Sequence, residues 1–301
     1  MEMNTLSRSA LAVGLSLALS GCLGATSVPL LEQAPLRLAA WNMEHLAEAN
    51  GTGCRPRTDA DYAALRAYAE TLEADVVAVQ EVESRAAVER IFDPSRYVVV
   101  VEERVGSGRG GACRGEDGLT IRDQRTGFAI RRGLAFDRQA DLVALQLGNA
   151  DLRSGVDIVV RPQGGEPVRL LSVHLKSGCS SGDRNAACPV LMQQVPVMED
   201  WIDRRAGEDV RFAVLGDFNR RLALADDTVW ADWDDAQPAG ADLSLAAGTT
   251  GARCNPRYPD FIDHIVLDRR AAADQLGFEE RTYGGEALSD HCAIIVTLDR
   301  R

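Results

Sequence analysis

Several apolar stretches of this sequence end in side chains that can bind cations or transfer protons. These strand-end groups are Asn42, Gln80-Glu81, His174, Asp217-Phe218-Asn219 and Asp290-His291. Carboxylates, amides and imidazoles are costly to bury without partners, and side chains at the strand ends of open α/β sheets converge on one crevice. Each group alone could serve a turn or a helix start. Their recurrence predicts one shared site with acid–base and metal-binding chemistry.

These polar groups are carried by strands and helices that are interleaved along the chain. Strands are predicted at 36–42, 75–80, 97–102, 126–131, 141–147, 155–161, 168–175, 211–216, 261–267, 278–283 and 291–298. Helices are predicted at 58–73, 84–92 and 188–205. Because strands outnumber helices, we predict one α/β domain at 36–301 with two sheets in its core. A Gly-rich surface loop is expected at 104–119 and a solvated acidic loop at 226–235.

Six short blocks occur in an order that resembles the endonuclease/exonuclease/phosphatase superfamily, to which deoxyribonuclease I belongs. The blocks are Trp41-Asn42-Met43-Glu44, Gln80-Glu81, Ser172-Val173-His174-Leu175, Gly216-Asp217-Phe218-Asn219, Phe261-Ile262-Asp263-His264 and Ser289-Asp290-His291. The resemblance covers nearly all of residues 36–299. It implies a deoxyribonuclease I-like fold, a four-layered α/β sandwich with two central mixed sheets. It also implies that the site lies at one edge of the two sheets.

The chemistry of phosphodiester hydrolysis explains the residue types in these blocks. The reaction needs an in-line water, a cation that offsets developing negative charge, and donors for the phosphate oxygens. We expect Glu81 and Asp290, with the amide oxygen of Asn42, to bind Mg²⁺ or Mn²⁺, since both ions prefer oxygen ligands. The family pattern pairs His291 with Asp263. A carboxylate fixes the tautomer of an imidazole and raises its basicity, as a general base requires.

The remaining polar residues of the blocks are expected to act around that pair. Asp217 would orient the water or a second metal ion. Asn219 and His174 would hold or protonate the phosphate oxygens. The chain has four histidines, of which His45 and His264 are expected to have structural or supporting roles.

Three basic residues are candidate substrate contacts. Lys176 lies two positions after His174, hence on the same face if the strand continues, and could point at the phosphate. Arg125, in the sequence RTGFAI, and Arg153, in LRSG, are the other two. An ordinary surface or structural role is the alternative for each.

Residues 1–21 resemble the signal peptide of a bacterial lipoprotein. The apolar stretch Ala10–Leu19 is too short to span a bilayer of about 30 Å. The motif LSGC at its end resembles a lipobox, which makes Cys22 the predicted lipidation site and 22–35 a tether. By the same resemblance the anchor would lie in the cell envelope, in the outer membrane. A secretory peptide that is cleaved nearby is the alternative.

Six cysteines follow Cys22, and an even number in an oxidising compartment predicts disulfides. Cys179 and Cys188 bracket a polar eight-residue loop and form the predicted pair. The remaining four cysteines allow three pairings, among which the sequence does not choose. They are Cys54, Cys113, Cys254 and Cys292. A zinc site is the alternative, although no CxxC or HxxxH spacing is present.

The charge balance limits how the chain could contact a polyanion. Lys+Arg 33 against Asp+Glu 45 gives a net charge of −12, which argues against a general basic surface that coats nucleic acid. Metal ions or a few arginines could still hold a phosphodiester at one site. The expected function is therefore that of a monomeric, metal-dependent nuclease outside the cytoplasm. The alternatives are a phospholipid-headgroup phosphodiesterase of the sphingomyelinase kind, a phosphomonoesterase and a catalytically inactive binding lipoprotein.

Overall fold

The computed structural model describes residues 34–106, 111–208, 210–238 and 241–300. The predicted signal peptide, the lipidation site and most of the predicted tether lie outside these residues. Within the described part of the chain, no helix is long and apolar enough to cross a membrane.

Twelve strands and five α-helices make up the described fold. The strands are β1 (Leu36–Leu46), β2 (Val76–Val82), β3 (Tyr97–Val101), β4 (Arg125–Arg131), β5 (Ala135–Arg138), β6 (Val156–Arg161), β7 (Val168–His174), β8 (Phe212–Asp217), β9 (Leu243–Leu245), β10 (Asp263–Asp268), β11 (Gln275–Arg281) and β12 (Ala293–Leu298). The helices are α1 (Asp59–Thr71), α2 (Arg85–Glu89), α3 (Cys188–Gly207), α4 (Thr228–Trp233) and α5 (Arg269–Ala273).

The strands form two six-stranded mixed sheets, as predicted. The first has the order β11-β12-β1-β2-β4-β3 and the second the order β5-β6-β7-β8-β10-β9. Parallel pairing occurs between β1 and β2 and between β7 and β8, whereas the other pairs are antiparallel. The two parallel pairs place the carboxyl ends of four strands where the polar groups were predicted.

Three apolar clusters account for the layers of the sandwich. Alternate residues of each strand face opposite sides, so Leu38 and Ala40 of β1 lie in the cluster between the sheets. Ala39 and Trp41 lie in the cluster with α1 and α2. A third cluster packs α3 and α4 against β7 and β8. Both faces of each central sheet are therefore covered, which gives the predicted four-layered α/β sandwich.

Some predicted elements are wrong. The segment 141–147 is not a strand: it contains the 3₁₀ helix Val143–Gln146, and the edge strand β5 precedes it. The predicted acidic loop at 226–235 contains α4, which begins after Asp227, whose carboxylate accepts two backbone N–H groups. Val229 and Trp233 of that helix are buried four residues apart, a helical spacing that the surrounding acidic residues obscured. The short elements β9 and α5 were not predicted.

Three disulfides join the six described cysteines. Cys179 and Cys188 are bonded, which confirms the predicted pair. The other bonds join Cys54 to Cys113 and Cys254 to Cys292. The first of these holds the Gly-rich loop against the segment that follows β1.

Candidate active site

The predicted polar groups meet where the central strands end. Asn42 on β1 is in register with Gln80 on β2, and His174 on β7 is in register with Asp217 on β8. The antiparallel strand β10 begins at Asp263, directly opposite Asp217. Two strands from each sheet thus place polar residues at the same edge. The first residue of β10 lies at this edge as well.

The backbone at this edge adopts conformations that ordinary residues rarely take. Glu44, His45, Glu81 and Asn219 have φ values of 42°, 52°, 57° and 53°. The register of β1 with β2 shifts between Asn42 and Leu46. Such positive φ values cost about 1–3 kcal/mol each and persist only where the surroundings enforce them. In β1 and β2 these residues lie within the irregular stretch, after which Leu46 pairs with Val82, and Asn219 lies two residues after the end of β8.

His291 and Asp263 form a hydrogen-bonded pair. The Nδ1 atom of the imidazole lies 2.6 Å from Asp263 Oδ2. The Ser289 hydroxyl accepts the backbone N–H of His291 at 3.1 Å and donates to the carbonyl of Asn42 at 2.8 Å, which ties the histidine loop to β1. The second ring nitrogen, Nε2, lies 4.0 Å from Asp217 Oδ2. One nitrogen is thus held by a carboxylate while the other faces the centre of the site.

The carboxylates around His291 set its basicity. Burial alone would lower its pKa, but the charge and hydrogen bond of Asp263, with the charges of Asp217 and Asp290, raise the pKa well above its ordinary value. His291 therefore has a strong affinity for a proton. To act as a base, His291 must first lose this proton, and a positive charge nearby would favour the neutral ring.

Asp217 is buried and contacts polar groups from both sheets. Its Oδ2 accepts the Asn42 amide N–H at 3.0 Å, and its Oδ1 accepts the backbone N–H of Asn219 at 2.8 Å. His174 Nε2 lies 3.5 Å from Oδ2. Burial raises the pKa of Asp217 to about 7, and the charge of Asp263 contributes to that rise. Burial and the charge of Asp263 thus make the ionised form of Asp217 costly unless a positive charge lies nearby.

A second group of carboxylates lies beside this pair: Glu44, Glu81 and Asp290. Glu44 accepts the backbone N–H of Asp290 at 2.9 Å, and Glu81 accepts the backbone N–H of His45 at 3.1 Å. Burial and then the charge of Asp290 raise the pKa of Glu44. Loss of hydration and then the charge of Glu81 raise the pKa of Asp290. The sequence did not single out Glu44, although it stands in the block beside Asn42.

The donor set fits a hard divalent cation. Asp217, Asp263 and His291 offer ligand atoms that all lie within 4.8 Å of one another. The Oδ1 atom of Asp263 is buried without a hydrogen-bond partner. Carboxylate oxygens are the preferred ligands of Mg²⁺ and Mn²⁺, and a cation would offset the repulsion that raises several carboxylate pKa values here.

His174 and Asn219 line the inner wall of the site. His174 is buried, and burial followed by the charge of Arg153 holds its pKa well below the ordinary value. Its Nε2 also lies 3.7 Å from Glu81 Oε1. The Asn219 amide donates to the carbonyl of Leu175 at 3.2 Å, which leaves its carbonyl oxygen as the part that can face a ligand. His174 is therefore a neutral hydrogen-bonding group rather than a cation.

The two remaining histidines have supporting positions, as expected. The ring of His264 is buried and lies 2.8 Å from the carbonyl of Arg220. Burial lowers the pKa of His264 to about 4. The ring of His45 lies within 3.3 Å of the amide of Gln124.

The three basic candidates differ in their surroundings. The guanidinium of Arg125 donates to three backbone carbonyls and to the Asp123 carboxylate, which fits the structural alternative. Strand β7 ends at His174, so the prediction that Lys176 shares its strand face is wrong; the Lys176 ammonium donates to the carbonyl of Ser177. Both substrate contacts stay predictions.

Arg153 is the basic residue that the structure places among the site charges. It is 7% exposed and donates to the Gln124 side chain at 2.7 Å. Burial lowers its pKa, and the charge of Glu81 opposes that change. A buried guanidinium close to carboxylates that repel one another provides positive charge within reach of a bound anion.

Comparison with known proteins identifies the family. The model of the Endonuclease/Exonuclease/phosphatase family matches residues 39–291, and the chain belongs to this family. Its members hydrolyse phosphoester bonds and generally use divalent metals. Comparison with curated proteins finds no match.

Solved structures share the fold at low sequence identity. An AP endonuclease from Leishmania major is 14% identical, with a TM-score of 0.59, and the match covers 89% of each chain. The human Nocturnin catalytic domain is 17% identical, with a TM-score of 0.57, over 89% of this chain and 94% of that one. An endonuclease/exonuclease/phosphatase from Beutenbergia cavernae is also 17% identical, with a TM-score of 0.58, over 89% and 72%. These likenesses establish the deoxyribonuclease I-like fold.

Proposed function

We propose that this protein is a divalent-metal-dependent phosphodiesterase that cleaves nucleic acid outside the cytoplasm. The observation that carries the proposal is the His291–Asp263 pair, whose second ring nitrogen lies 3.7 Å from Asp290 Oδ1 and 4.0 Å from Asp217 Oδ2. A positioned imidazole within reach of buried carboxylates is the arrangement that activates a water for attack. The proposal explains why the polar residues of the six sequence blocks lie together at one edge of the sandwich.

His291 is the general base in this proposal. Its Nε2 accepts a proton from the attacking water while Nδ1–H stays hydrogen-bonded to Asp263, which fixes the tautomer and stabilises the imidazolium that forms. Asp217, close to the same nitrogen, orients the water through its Oδ2. Asn42 and the backbone of Asn219 hold that carboxylate in place through the two hydrogen bonds that it accepts.

Glu81 and Asp290, with the amide oxygen of Asn42, are the residues we propose as ligands of Mg²⁺ or Mn²⁺. When bound, the ion would supply positive charge against the developing charge on the phosphate. Asn42 keeps a lone pair for this purpose, since its oxygen accepts one hydrogen bond, from the N–H of Glu44. Asp217, Asp263 and His291 form the alternative ligand set.

His174, Asn219 and Arg153 are proposed to hold the phosphate oxygens. The low pKa of His174 keeps its ring neutral, so it contributes a hydrogen bond rather than a charge. Arg153 contributes the charge, and its burial makes each electrostatic contact stronger than at the surface. A local cation of this kind allows a chain of net charge −12 to bind a polyanion at one site.

An extracytoplasmic location is part of the same proposal. The three disulfides are of the kind that persist in oxidising compartments. The lipobox-like sequence at Cys22 supports anchoring of a monomer to the envelope membrane. Expression of Cys22→Ser should abolish lipid labelling of the chain, and labelling that persists in this variant would refute the anchor.

A substrate panel tests the activity. Purified protein with Mg²⁺ is offered plasmid DNA, RNA, sphingomyelin and inositol phosphates, alongside His291→Ala and a control, Asp137→Asn, whose exposed carboxylate pairs with Arg161 away from the site. Nuclease activity that is lost in His291→Ala and retained in the control supports the proposal. Hydrolysis of sphingomyelin or inositol phosphates without nucleic acid cleavage would overturn it.

A further inference from the structure

A cavity of about 270 Å³ lies directly beside the catalytic pair. Asp263, Asp290 and His291 form one part of its lining, so it is continuous with the site. The rest is formed by the segment 252–262 and its surroundings, notably Arg221, Asn255, Tyr258, Phe261 and the Cys254–Cys292 disulfide. Pockets for drug-sized ligands measure roughly 300–1,000 Å³, so this cavity is suited to a single ring.

The charges that line the cavity disfavour a phosphate group as its occupant. Asp260, Glu280 and Asp290 line it in addition to Asp263. Arg221 is the one arginine in the lining, and its Nε lies 3.8 Å from Asp260 Oδ2. An anion would therefore meet more negative than positive charge there. The group that enters must be uncharged or cationic.

One aromatic ring of the lining is exposed and the other is buried. Tyr258 is 53% exposed, whereas Phe261 is 8% exposed and packs edge-on against Phe278. The turn before Tyr258 is closed by its N–H, which donates to the carbonyl of Asn255 at 2.9 Å. The turn fixes the backbone that carries the Tyr258 ring, and the Arg257 guanidinium lies 5.9 Å from the centroid of that ring.

The loop that carries Tyr258 is fastened to the sheet on two sides. The carboxylate of Glu280 on β11 accepts the backbone N–H groups of Arg253 and Cys254, at 2.6 Å and 3.0 Å. The Cys254–Cys292 disulfide then joins the loop to the residue that follows His291. The cavity therefore lies against His291, and a disulfide and two hydrogen bonds fix the loop that lines it.

We propose that this cavity is a subsite for one unpaired nucleobase next to the scissile phosphate, with the base stacked on Tyr258. A stacking ring, an amide at Asn255 and a guanidinium at Arg221 are the groups that proteins use to hold splayed-out bases. An organic cation is the other occupant that these charges allow, and the choline phosphoester in the test below distinguishes it from a base. A base in a duplex is stacked and paired and would have to be extruded first. The protein should therefore prefer single strands to duplexes, an inference that rests on the proposed nuclease function.

The test compares three substrates of one length: a single-stranded oligonucleotide, its duplex, and a strand of abasic tetrahydrofuran nucleotides. Wild-type protein should cleave the single strand faster than the duplex. Tyr258→Ala should lower kcat/KM on the base-bearing strand by about 5- to 150-fold, the range that corresponds to one lost base stack, and should lower it far less on the abasic strand. Tyr258→Phe, which keeps the ring, should retain the preference.

Leu276→Ala is the matched control, because Leu276 is similarly exposed, at 57%, and lies on β11 outside the cavity lining. Its rates on all three substrates should equal those of the wild type. The subsite is overturned if Tyr258→Ala affects the base-bearing and abasic strands equally, or if the duplex is the better substrate. If wild-type protein cleaves none of the three strands but hydrolyses a choline or inositol phosphoester, the nuclease function has failed and the base subsite is rejected with it.

Discussion

Replacing Asp263 with asparagine tests the catalytic pair most directly. The change keeps the size of the side chain but removes the charge that lies 2.6 Å from His291 Nδ1. That charge is the strongest of the influences that raise the pKa of His291, so the pKa should fall in the variant. A weaker base that is also less firmly oriented should reduce kcat by about 10²–10⁴-fold, the usual contribution of a general acid–base group.

The stability of Asp263→Asn should change much less than its activity. Loss of one buried hydrogen-bond partner costs about 1–3 kcal/mol. The charge of Asp263 also raises the pKa of Asp217, so its removal relieves a repulsion and offsets part of that cost. A thermal melt should therefore show a folded variant with a modest decrease in Tm.

The assay is the pH dependence of kcat/KM on a cleaved phosphodiester, for wild type, Asp263→Asn and the exposed control Asp137→Asn. Since the acid limb reports the pKa of the base, it should move to lower pH in Asp263→Asn and stay in place in the control. Titration with Mg²⁺ or Mn²⁺ should give similar metal affinity for all three proteins, because Asp263 is proposed as a partner of His291 and not as a ligand.

Two results would refute this assignment. A folded Asp263→Asn protein with wild-type kcat and an unmoved acid limb would show that the pair does not supply the base. Metal affinity that falls by more than the roughly 10–100-fold typical of a residue that only supports a ligand would instead place Asp263 among the ligands, in the alternative set of Asp217, Asp263 and His291.

Three further expectations concern the metal, the carboxylates and the loop after β7. Glu81→Gln should raise the Mg²⁺ concentration needed for half-maximal activity at least about tenfold, measured by metal titration. Metal-free protein should lose stability as the pH rises from about 4 to about 7, because burial raises the pKa of Asp217 to about 7 and the folded state therefore binds this proton more tightly than the unfolded chain. The pKa of His291, raised by Asp263, adds a further loss above the ordinary histidine range. Melts with and without Mg²⁺ check this, and a Tm of the metal-free protein that rises with pH above about 6 would contradict it. Cys179→Ser/Cys188→Ser should cost about 2–3 kcal/mol and weaken catalysis with little change in metal affinity, as denaturant titrations and kinetics would show.

The strands that carry the site could be predicted because their signals are local. A buried apolar segment followed by a polar residue is visible at Gln80, His174 and Asp217, and the three predicted strands end within two residues of the true strand ends. The predicted strand at 141–147 was wrong because its apolar residues lie in a short 3₁₀ helix that packs against α3. Whether such a segment becomes strand or turn depends on what covers it, and that information is tertiary.

Only part of the site could be predicted from the sequence. The proximity of Asp263 to His291 followed from the family resemblance, whereas the position of Glu44 depends on a backbone reversal with φ 42° that no local preference encodes. The Arg153 side chain is buried among the site charges, but an arginine in a short polar segment looks the same whether it is buried or exposed. The pairings of the two remaining disulfides likewise depend on which loops the fold brings together.

The three disulfides lie close in sequence to the residues with positive φ values at the site, or join loops that contact them. The segment after Cys54 is bound to the reversal at Glu44, since Arg57 donates to the carbonyls of Met43 and Glu44. The Cys254–Cys292 bond immediately follows His291.

The third disulfide acts in the same way on the other sheet. Arg220, which follows the positive-φ residue Asn219, donates to the carbonyl of Cys179. Each disulfide thus fixes a loop against a strand end that presents a proposed catalytic or metal-binding group. Because strain of about 1–3 kcal/mol per residue must be held by the surroundings, the reduced chain should relax at this edge first. We therefore expect reduction of the disulfides to lower activity before the protein unfolds as a whole, and activity that persists until global unfolding of the reduced protein would contradict this expectation.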